Sequence, residues 1–421
     1  MGFEVISVIG LGYIGLPTAA ILASRRKRVI GVDIDPRTTT IINQGSVHIV
    51  EPDLDMLVHA AVNQGCLRAV TIPEPADAFL IAVPTPISSD HQPDLSYIEN
   101  ASRSIAPVLK RGDLVILEST SPVGATEKMA DLLAELRPDL SFPQQMGGDS
   151  DVRIAHCPER VLPGQVLHEL VCNDRVVGGM TPNCSKRAVE LYKLFVKGQC
   201  IVTDVRTAEM CKLAENSFRD VNIAFANELS IICDKHGIDV WELIKLANRH
   251  PRVKILNPGP GVGGHCIAID PWFIVSQTPD EARLIRVARE VNDYKPYWVM
   301  EKLDALVKQL CVEQDKSAQE ITIACFGLSF KADIDDLRES PACKVVFEVL
   351  RHYPGSVQAV EPHIDVLPDD LQSSGLRLVD IDTAVKADIL VFLVDHQAFK
   401  DNKITVTKCQ RMLDTRGMWR N

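Results

Sequence analysis

The sequence has no apolar run long enough to cross a membrane, which excludes a helical membrane span in its 421 residues. Met1-Gly2-Phe3-Glu4 passes at once into a strand pattern, with no leader-like segment, so the expected location is the cytoplasm. Positive charge is scarce. With 45 Lys and Arg against 56 Asp and Glu, the formal net charge is −11, which argues against nonspecific nucleic-acid binding. An anionic ligand must therefore be met by a few well-placed basic side chains. Twelve cysteines include no Cys-x-x-Cys pair, so no metal site is expected, and in a reducing compartment most are small buried thiols. What remains, 46% hydrophobic and 24% charged, is an ordinary globular composition, and the length calls for two or three domains.

Glycine and proline crowd the stretch from Asn257 to Pro271, with Gly259, Gly261, Gly263 and Gly264 interleaved with Pro258 and Pro260. Neither a helix interior nor a central strand suits that mixture, so a shaped loop is predicted. It holds Cys266 between His265 and Asp270, backed by Ile267 and Ile269. Cysteine is the side chain most nucleophilic near neutral pH, and a small buried Cys in a structural turn is the plainer alternative.

An apolar run over residues 5–9 ends in Gly10-Leu11-Gly12-Tyr13-Ile14-Gly15, a helix pattern follows over 18–23, and a strand pattern over 28–33 ends in Asp33. Strand, glycine turn, helix, strand and acid in that order form a dinucleotide fingerprint. Gly10 makes the tight turn, Gly12 lets a pyrophosphate approach the backbone, and Gly15 lets the helix pack on the sheet. Asp33 would accept bonds from ribose hydroxyls and repel a 2′-phosphate, so NAD is expected over NADP, with Arg37 the base nearby. Residues 78–83 and 114–118 read as buried parallel strands. The loops after them carry Thr85 and Thr120, which either line the cofactor or serve turns.

From 207 to 247 the pattern is long helix, with Lys212, Asn216 and Arg219 on one face, either a solvated stripe or a functional one. Strands over 321–327, 356–360, 376–379 and 389–394 then surround a helix over 342–350 and a polar loop over 328–341, without a second glycine fingerprint. The expected fold class is α/β: two Rossmann-like doubly wound domains, residues 1–205 and 306–421, joined by a long central helical segment, 206–305.

These motifs, with Ser119-Thr120-Ser121-Pro122-Val123-Gly124, Cys157-Pro158-Glu159-Arg160, Phe330-Lys331 and Arg338-Glu339-Ser340-Pro341, resemble the UDP-glucose/GDP-mannose dehydrogenase family over nearly the whole chain and in the family's order. The resemblance implies an NAD-dependent, four-electron oxidation of a nucleotide-sugar C6 alcohol to a carboxylate through a thioester on Cys266. It implies that Lys212 and Asn216 handle the alcohol proton and oxyanion character, and that Asp270 and Glu159 order or activate water, their division of labour open. Cofactor contacts are implied for Gly10, Gly12, Tyr13, Ile14, Gly15, Asp33, Thr85, Thr120 and Arg338. Substrate contacts are implied for Arg160, Val161, Lys212, Asn216, Arg219, His250, Arg252, Gly263, Lys331 and Arg416. In relatives the Arg252 counterpart can come from a second subunit, and a homodimer through the central helix is expected.

Gly263-Gly264-His265-Cys266, with Pro158-Glu159-Arg160-Val161-Leu162-Pro163-Gly164, resembles the branch of the family that acts on UDP-N-acetyl-D-mannosamine for a surface polysaccharide. UDP-glucose enzymes usually have Tyr where His265 stands and a second Glu near Pro163. The same chemistry on UDP-N-acetylglucosamine or UDP-glucose is the alternative. A two-electron hydroxyacid dehydrogenase or a non-catalytic nucleotide-binding protein would not need Cys266.

Overall fold

Short apolar strands dictate the architecture. The protein is seen in a computed structural model that describes residues 2–162, 164–402 and 404–419, so Pro163 lies outside the described residues. It resolves into two compact units, Met1–Glu215 with Trp272–Gln277, and Asn216–Pro271 with Thr278–Asn421.

In the first unit, among the described residues, β1 (Val5–Ile9), β2 (Arg28–Val32), β3 (Leu67–Val70), β4 (Ala78–Ile81), β5 (Leu114–Leu117), β6 (Arg153–His156), β7 (Arg175–Gly179) and β8 (Cys200–Asp204) form one sheet. Its order is β3-β2-β1-β4-β5-β6-β7-β8, parallel except for the antiparallel β6–β7 pair. β4 and β5 bury every side chain, and this is why they read as unbroken apolar runs. Helices on the two faces build two cores, one around Leu16, Val58 and Tyr192, the other around Ile98, Met129 and Phe142. Strand order reverses between β1 and β4, and the carboxyl ends there are where such a sheet takes a dinucleotide.

In the second unit β9 (Ile323–Phe326), β10 (Val357–Val360), β11 (Arg377–Leu378), β12 (Ile389–Phe392) and β13 (Arg411–Asp414) form a parallel sheet in the order β11-β10-β9-β12-β13. The helix Arg283–Gln314 lays Val299, Leu303, Val307 and Leu310 into the same core as Val345 and Val349 of the helix Pro341–His352. No helix of the described residues is long and apolar enough to cross a membrane.

Two local expectations need correction. The helix expected to be continuous over 207–247 is broken: Val205–His236 stops, Gly237 takes a φ of +67°, and Val240–Ala247 begins anew. Glycine enters the left-handed region without a Cβ clash, and the Asp239 carboxylate caps the second helix by accepting the amides of Trp241 and Glu242 at 2.9 and 3.3 Å. The second correction concerns Asp270-Pro271, which is not loop but the first turn of the helix Asp270–Gln277. Proline costs nothing there, because a first-turn amide has no helical acceptor.

Candidate active site

The glycine turn after β1 is built as the fingerprint requires. Gly10 has a φ of +89°, and a Cβ on it would lie 2.6 Å from the Ala82 carbonyl oxygen. A Cβ on Gly15 would come within 1.8 Å of the Gly10 oxygen, whereas one on Gly12 would meet nothing within 4 Å. Gly12 thus leaves open the space a pyrophosphate needs. The helix Gly15–Ser24 has no acidic residue in its first turn and no side-chain cap, so its amide end favours an anion. Tyr13 and Ile14 lie half-buried in the turn.

Asp33 accepts the Leu11 amide on one oxygen and the Asp35 amide on the other, both at 3.0 Å, which orients the carboxylate at the end of β2. Each oxygen retains a lone pair for a ribose hydroxyl. Arg37 pairs with Asp35 at 3.3 Å. Thr85 donates its hydroxyl to the Thr120 carbonyl, and Ser119 donates to the Val83 carbonyl at 2.7 Å. The loops after β4 and β5 are therefore tied together at the carboxyl ends of their strands, where NAD would lie along residues of this chain that fit it.

In the second unit Cys266 is half-buried. Its carbonyl accepts the amides of Ile269 and Asp270 at 3.0 and 2.8 Å, and this turn carries the chain from the thiol to the carboxylate. Asp270 is buried and accepts a hydrogen bond from Asn216 Nδ2 at 2.5 Å. The glycines before Cys266 permit close packing. A Cβ on Gly263 would sit 2.5 Å from the Glu339 oxygen, one on Gly264 2.9 Å from the Phe330 ring, and one on Gly259 2.5 Å from Arg416 Nη1. The loop is thereby seated against the 328–341 segment that bears Lys331 and Arg338. It is also anchored from beneath. The Gly259 amide donates to Asn227 Oδ1 at 2.9 Å, Asn227 Nδ2 to Asn292 Oδ1 at 2.8 Å, and Asn292 Nδ2 to Asp220 Oδ1 at 2.8 Å. Arg289 closes this buried chain on Asp220 at 2.7 Å. Burial pushes the Asp220 carboxyl up, against the pull of the Arg289 charge.

The other expected residues divide by partner. Arg160 pairs with Glu215 at 2.5 Å, Arg338 with Asp336 at 2.6 Å, and Arg416 with Asp395 at 2.8 Å. Lys212 is half-buried, one turn before the buried Asn216 on the same helix, and Val161 packs on the first core. Arg219, His250, Arg252 and Lys331 are exposed, and His250 Nδ1 accepts the Arg252 amide at 3.3 Å. Glu159 is buried, with Oε1 on the Arg160 amide at 2.6 Å and Oε2 on Arg175 Nη1 at 3.0 Å.

Two clusters carry no sequence signal. Arg175 of β7 pairs with Glu159, Tyr192 at the end of the helix Pro182–Tyr192 faces Arg175, and Glu118 after β5 accepts from the Tyr192 hydroxyl. Burial raises the Glu118 carboxyl to about 7, with the Arg175 charge opposing. In the second unit Asp333, His363 and His396 bring potential metal-ligand atoms within 4.8 Å of one another. His396, however, is already satisfied: Nδ1 accepts the Asp333 amide at 3.0 Å and Nε2 faces Glu361 at 3.1 Å. The cluster joins the loops that follow β9, β10 and β12.

Comparison with known proteins matches three consecutive stretches to the UDP-glucose/GDP-mannose dehydrogenase family: its NAD binding domain over residues 4–196, its central domain over 206–294 and its UDP binding domain over 324–421. An NDP-N-acetyl-D-galactosaminuronic acid dehydrogenase of Ralstonia nicotianae is 65% identical over 418 residues, covering 99% of this chain and 96% of its own. A UDP-N-acetyl-D-mannosamine dehydrogenase of Yersinia pestis is 64% identical over 421 residues, covering both chains in full. Among solved structures, a UDP-D-ManNAc dehydrogenase from Pyrococcus horikoshii superposes with a TM-score of 0.86 at 39% identity, covering 99% of this chain and 96% of that one.

Proposed function

The chain belongs to the UDP-glucose/GDP-mannose dehydrogenase family, and on that premise we propose that it oxidises C6 of UDP-N-acetyl-D-mannosamine to the uronate with two NAD⁺, for a surface polysaccharide. The observation that carries the chemistry is Cys266 on a glycine loop whose following turn is fixed by the buried Asn216–Asp270 pair. Held along Gly10, Gly12 and Asp33, NAD⁺ would supply the hydride acceptor for each of the two oxidations at C6. Lys212 takes the alcohol proton. Asn216 spends one amide hydrogen on Asp270 and has a second for the developing oxyanion. The Cys266 sulfur adds to the aldehyde carbon, and loss of the second hydride leaves a thioester. Glu159 then accepts a proton from the attacking water, the C–S bond breaks, and the electron pair stays on Cys266 sulfur. Asp270, tied to Asn216, keeps that amide aimed.

Lys331, Arg160, Arg219, Arg252 and Arg416 supply the local positive charge that a diphosphate demands of a chain with a net charge of −11, and His250 offers a ring nitrogen beside Arg252. Residues 1–205 form the cofactor part, 206–305 the catalytic loop and dimer helix, and 306–421 the nucleotide part. We assign the protein to the cytoplasm, where thiols persist; its twelve cysteines include no disulfide among the described residues. A homodimer is supported by Phe218, Phe225 and Ile232, which are 70%, 54% and 44% exposed at seven-residue spacing on one helical face.

The 65% identical galactosaminuronate relative favours a second reading, the same oxidation of an N-acetylgalactosamine nucleotide. A panel of UDP-N-acetyl-D-mannosamine, UDP-N-acetylgalactosamine, UDP-N-acetylglucosamine and UDP-glucose with NAD⁺ separates the readings. The highest kcat/KM and a uronate of the right mass are expected for the mannosamine sugar, and a preference for any other sugar reassigns the substrate.

A further inference from the structure

Arg175 is 4% exposed, a rare place for a guanidinium, and the steps above give it no task. Its Nη1 donates to Glu159 Oε2 at 3.0 Å while the Arg160 amide donates to Oε1 at 2.6 Å, so the Glu159 carboxylate is held at both oxygens. The guanidinium is itself confined. It lies 5.0 Å from the centre of the Tyr192 ring and 5.8 Å from that of Phe195. The Tyr192 hydroxyl donates to a second buried carboxyl, Glu118 Oε1, at 2.6 Å. Glu118 immediately precedes Ser119-Thr120, the loop joined to Thr85 at the strand ends.

Taking two carboxyls and a guanidinium out of water is expensive, and a buried ion pair is a poor source of net stability compared with apolar packing. What such a network supplies is fixed geometry. We propose that Arg175 is a positioning residue for the hydrolytic half of the reaction, orienting the Glu159 carboxylate toward the attacking water, with Tyr192 and Glu118 holding the guanidinium in that pose. In that step water adds to the thioester carbonyl and its proton passes to Glu159. The C–S bond then breaks, releasing the uronate and the Cys266 thiolate. The inference rests on the assignment of Glu159 to this step.

The test separates the half-reactions in single-turnover experiments with NAD⁺ and UDP-N-acetyl-D-mannosamine, reading NADH formation, the mass of any adduct on Cys266, and uronate release. Arg175→Met should form NADH as wild type does, accumulate the adduct and release uronate on the order of 10²-fold more slowly, the scale of a mispositioned general base. Arg175→Lys keeps the buried charge but loses the planar fork, so it should fold and show an adduct lifetime between those of wild type and Arg175→Met. Should the Met variant fail to fold, the Lys variant alone decides, and a wild-type adduct lifetime in it overturns the proposal. Proportionate loss of NADH formation and uronate release in either folded variant also overturns it, by making Arg175 merely structural. Glu159→Gln serves as the reference. If it traps the adduct while Arg175→Met hydrolyses normally, only the role of Arg175 falls; if Glu159→Gln itself hydrolyses normally, the assignment of Glu159 falls.

Discussion

At Asp33 one carboxylate does two jobs, since the oxygens that would meet the ribose also hold the Leu11 and Asp35 amides. Asp33→Ala should therefore narrow the preference for NAD⁺ over NADP⁺ and weaken NAD⁺ binding as the turn loosens. Equal kcat/KM for the two cofactors in the wild type would contradict this account of the site. Lys331, exposed on the 328–341 segment, should act on the nucleotide-sugar alone. Losing one charge-assisted bond of about 1.5–3 kcal/mol predicts that Lys331→Ala raises the sugar KM roughly ten- to a hundredfold and leaves the NAD⁺ KM unchanged. Steady-state kinetics with each substrate varied in turn checks both halves of that statement. At this scale, Cys266 and the fingerprint glycines are legible because their chemistry is local in sequence. Arg175 is not legible, because Glu159 and Tyr192 reach it from other elements and nothing in the sequence marks those pairs.

Among elements, an unbroken apolar run is what announces a buried strand, and β6 and β7, though largely buried, lack one. β4 and β5 read directly from apolar runs, whereas β8 is a half-exposed edge strand and β3, β6 and β13 alternate or carry charge, so the runs that define a central strand are missing. The break at Gly237 was equally quiet, a single glycine within a helical periodicity. The helix Val205–His236 yields a sharper expectation. Phe225→Asp puts a charge in the middle of its exposed apolar stripe and should convert a dimer to a monomer, measured by light scattering; an unchanged mass would place the interface elsewhere.

The neighbouring helix Arg283–Gln314 buries Lys295, which donates to Ser230 at 2.8 Å and sits 3.7 Å from the centre of the Trp298 ring. Burial lowers this lysine from 10.5 to about 7, with Asp234 opposing. The unfolded chain therefore binds more protons than the fold between those values, and stability attributable to Lys295 rises with pH across that window. It is lost as pH falls toward 7, below which the penalty is constant. Lys295→Met should remove this slope from the thermal midpoint measured against pH, and a slope identical to wild type would show that the lysine is not the group responsible.

For the molecule as a whole, the dinucleotide turn belongs to the first unit and Cys266 to the second. The α/β class and both Rossmann-like sheets follow from alternating strand and helix patterns, whereas the buried chain from Arg289 through Asp220, Asn292 and Asn227 to Gly259 depends on packing that no local pattern encodes. Because the Gly10 to Asp33 turn is separate from the thiol, Cys266→Ala should bind NAD⁺ as wild type does and still fail to make uronate. The most direct measurement follows NADH and uronate together in that variant at saturating UDP-N-acetyl-D-mannosamine. The thioester account predicts two NADH per uronate in the wild type and no uronate from Cys266→Ala. Uronate from the variant at near wild-type rate, with two NADH per sugar, would contradict it.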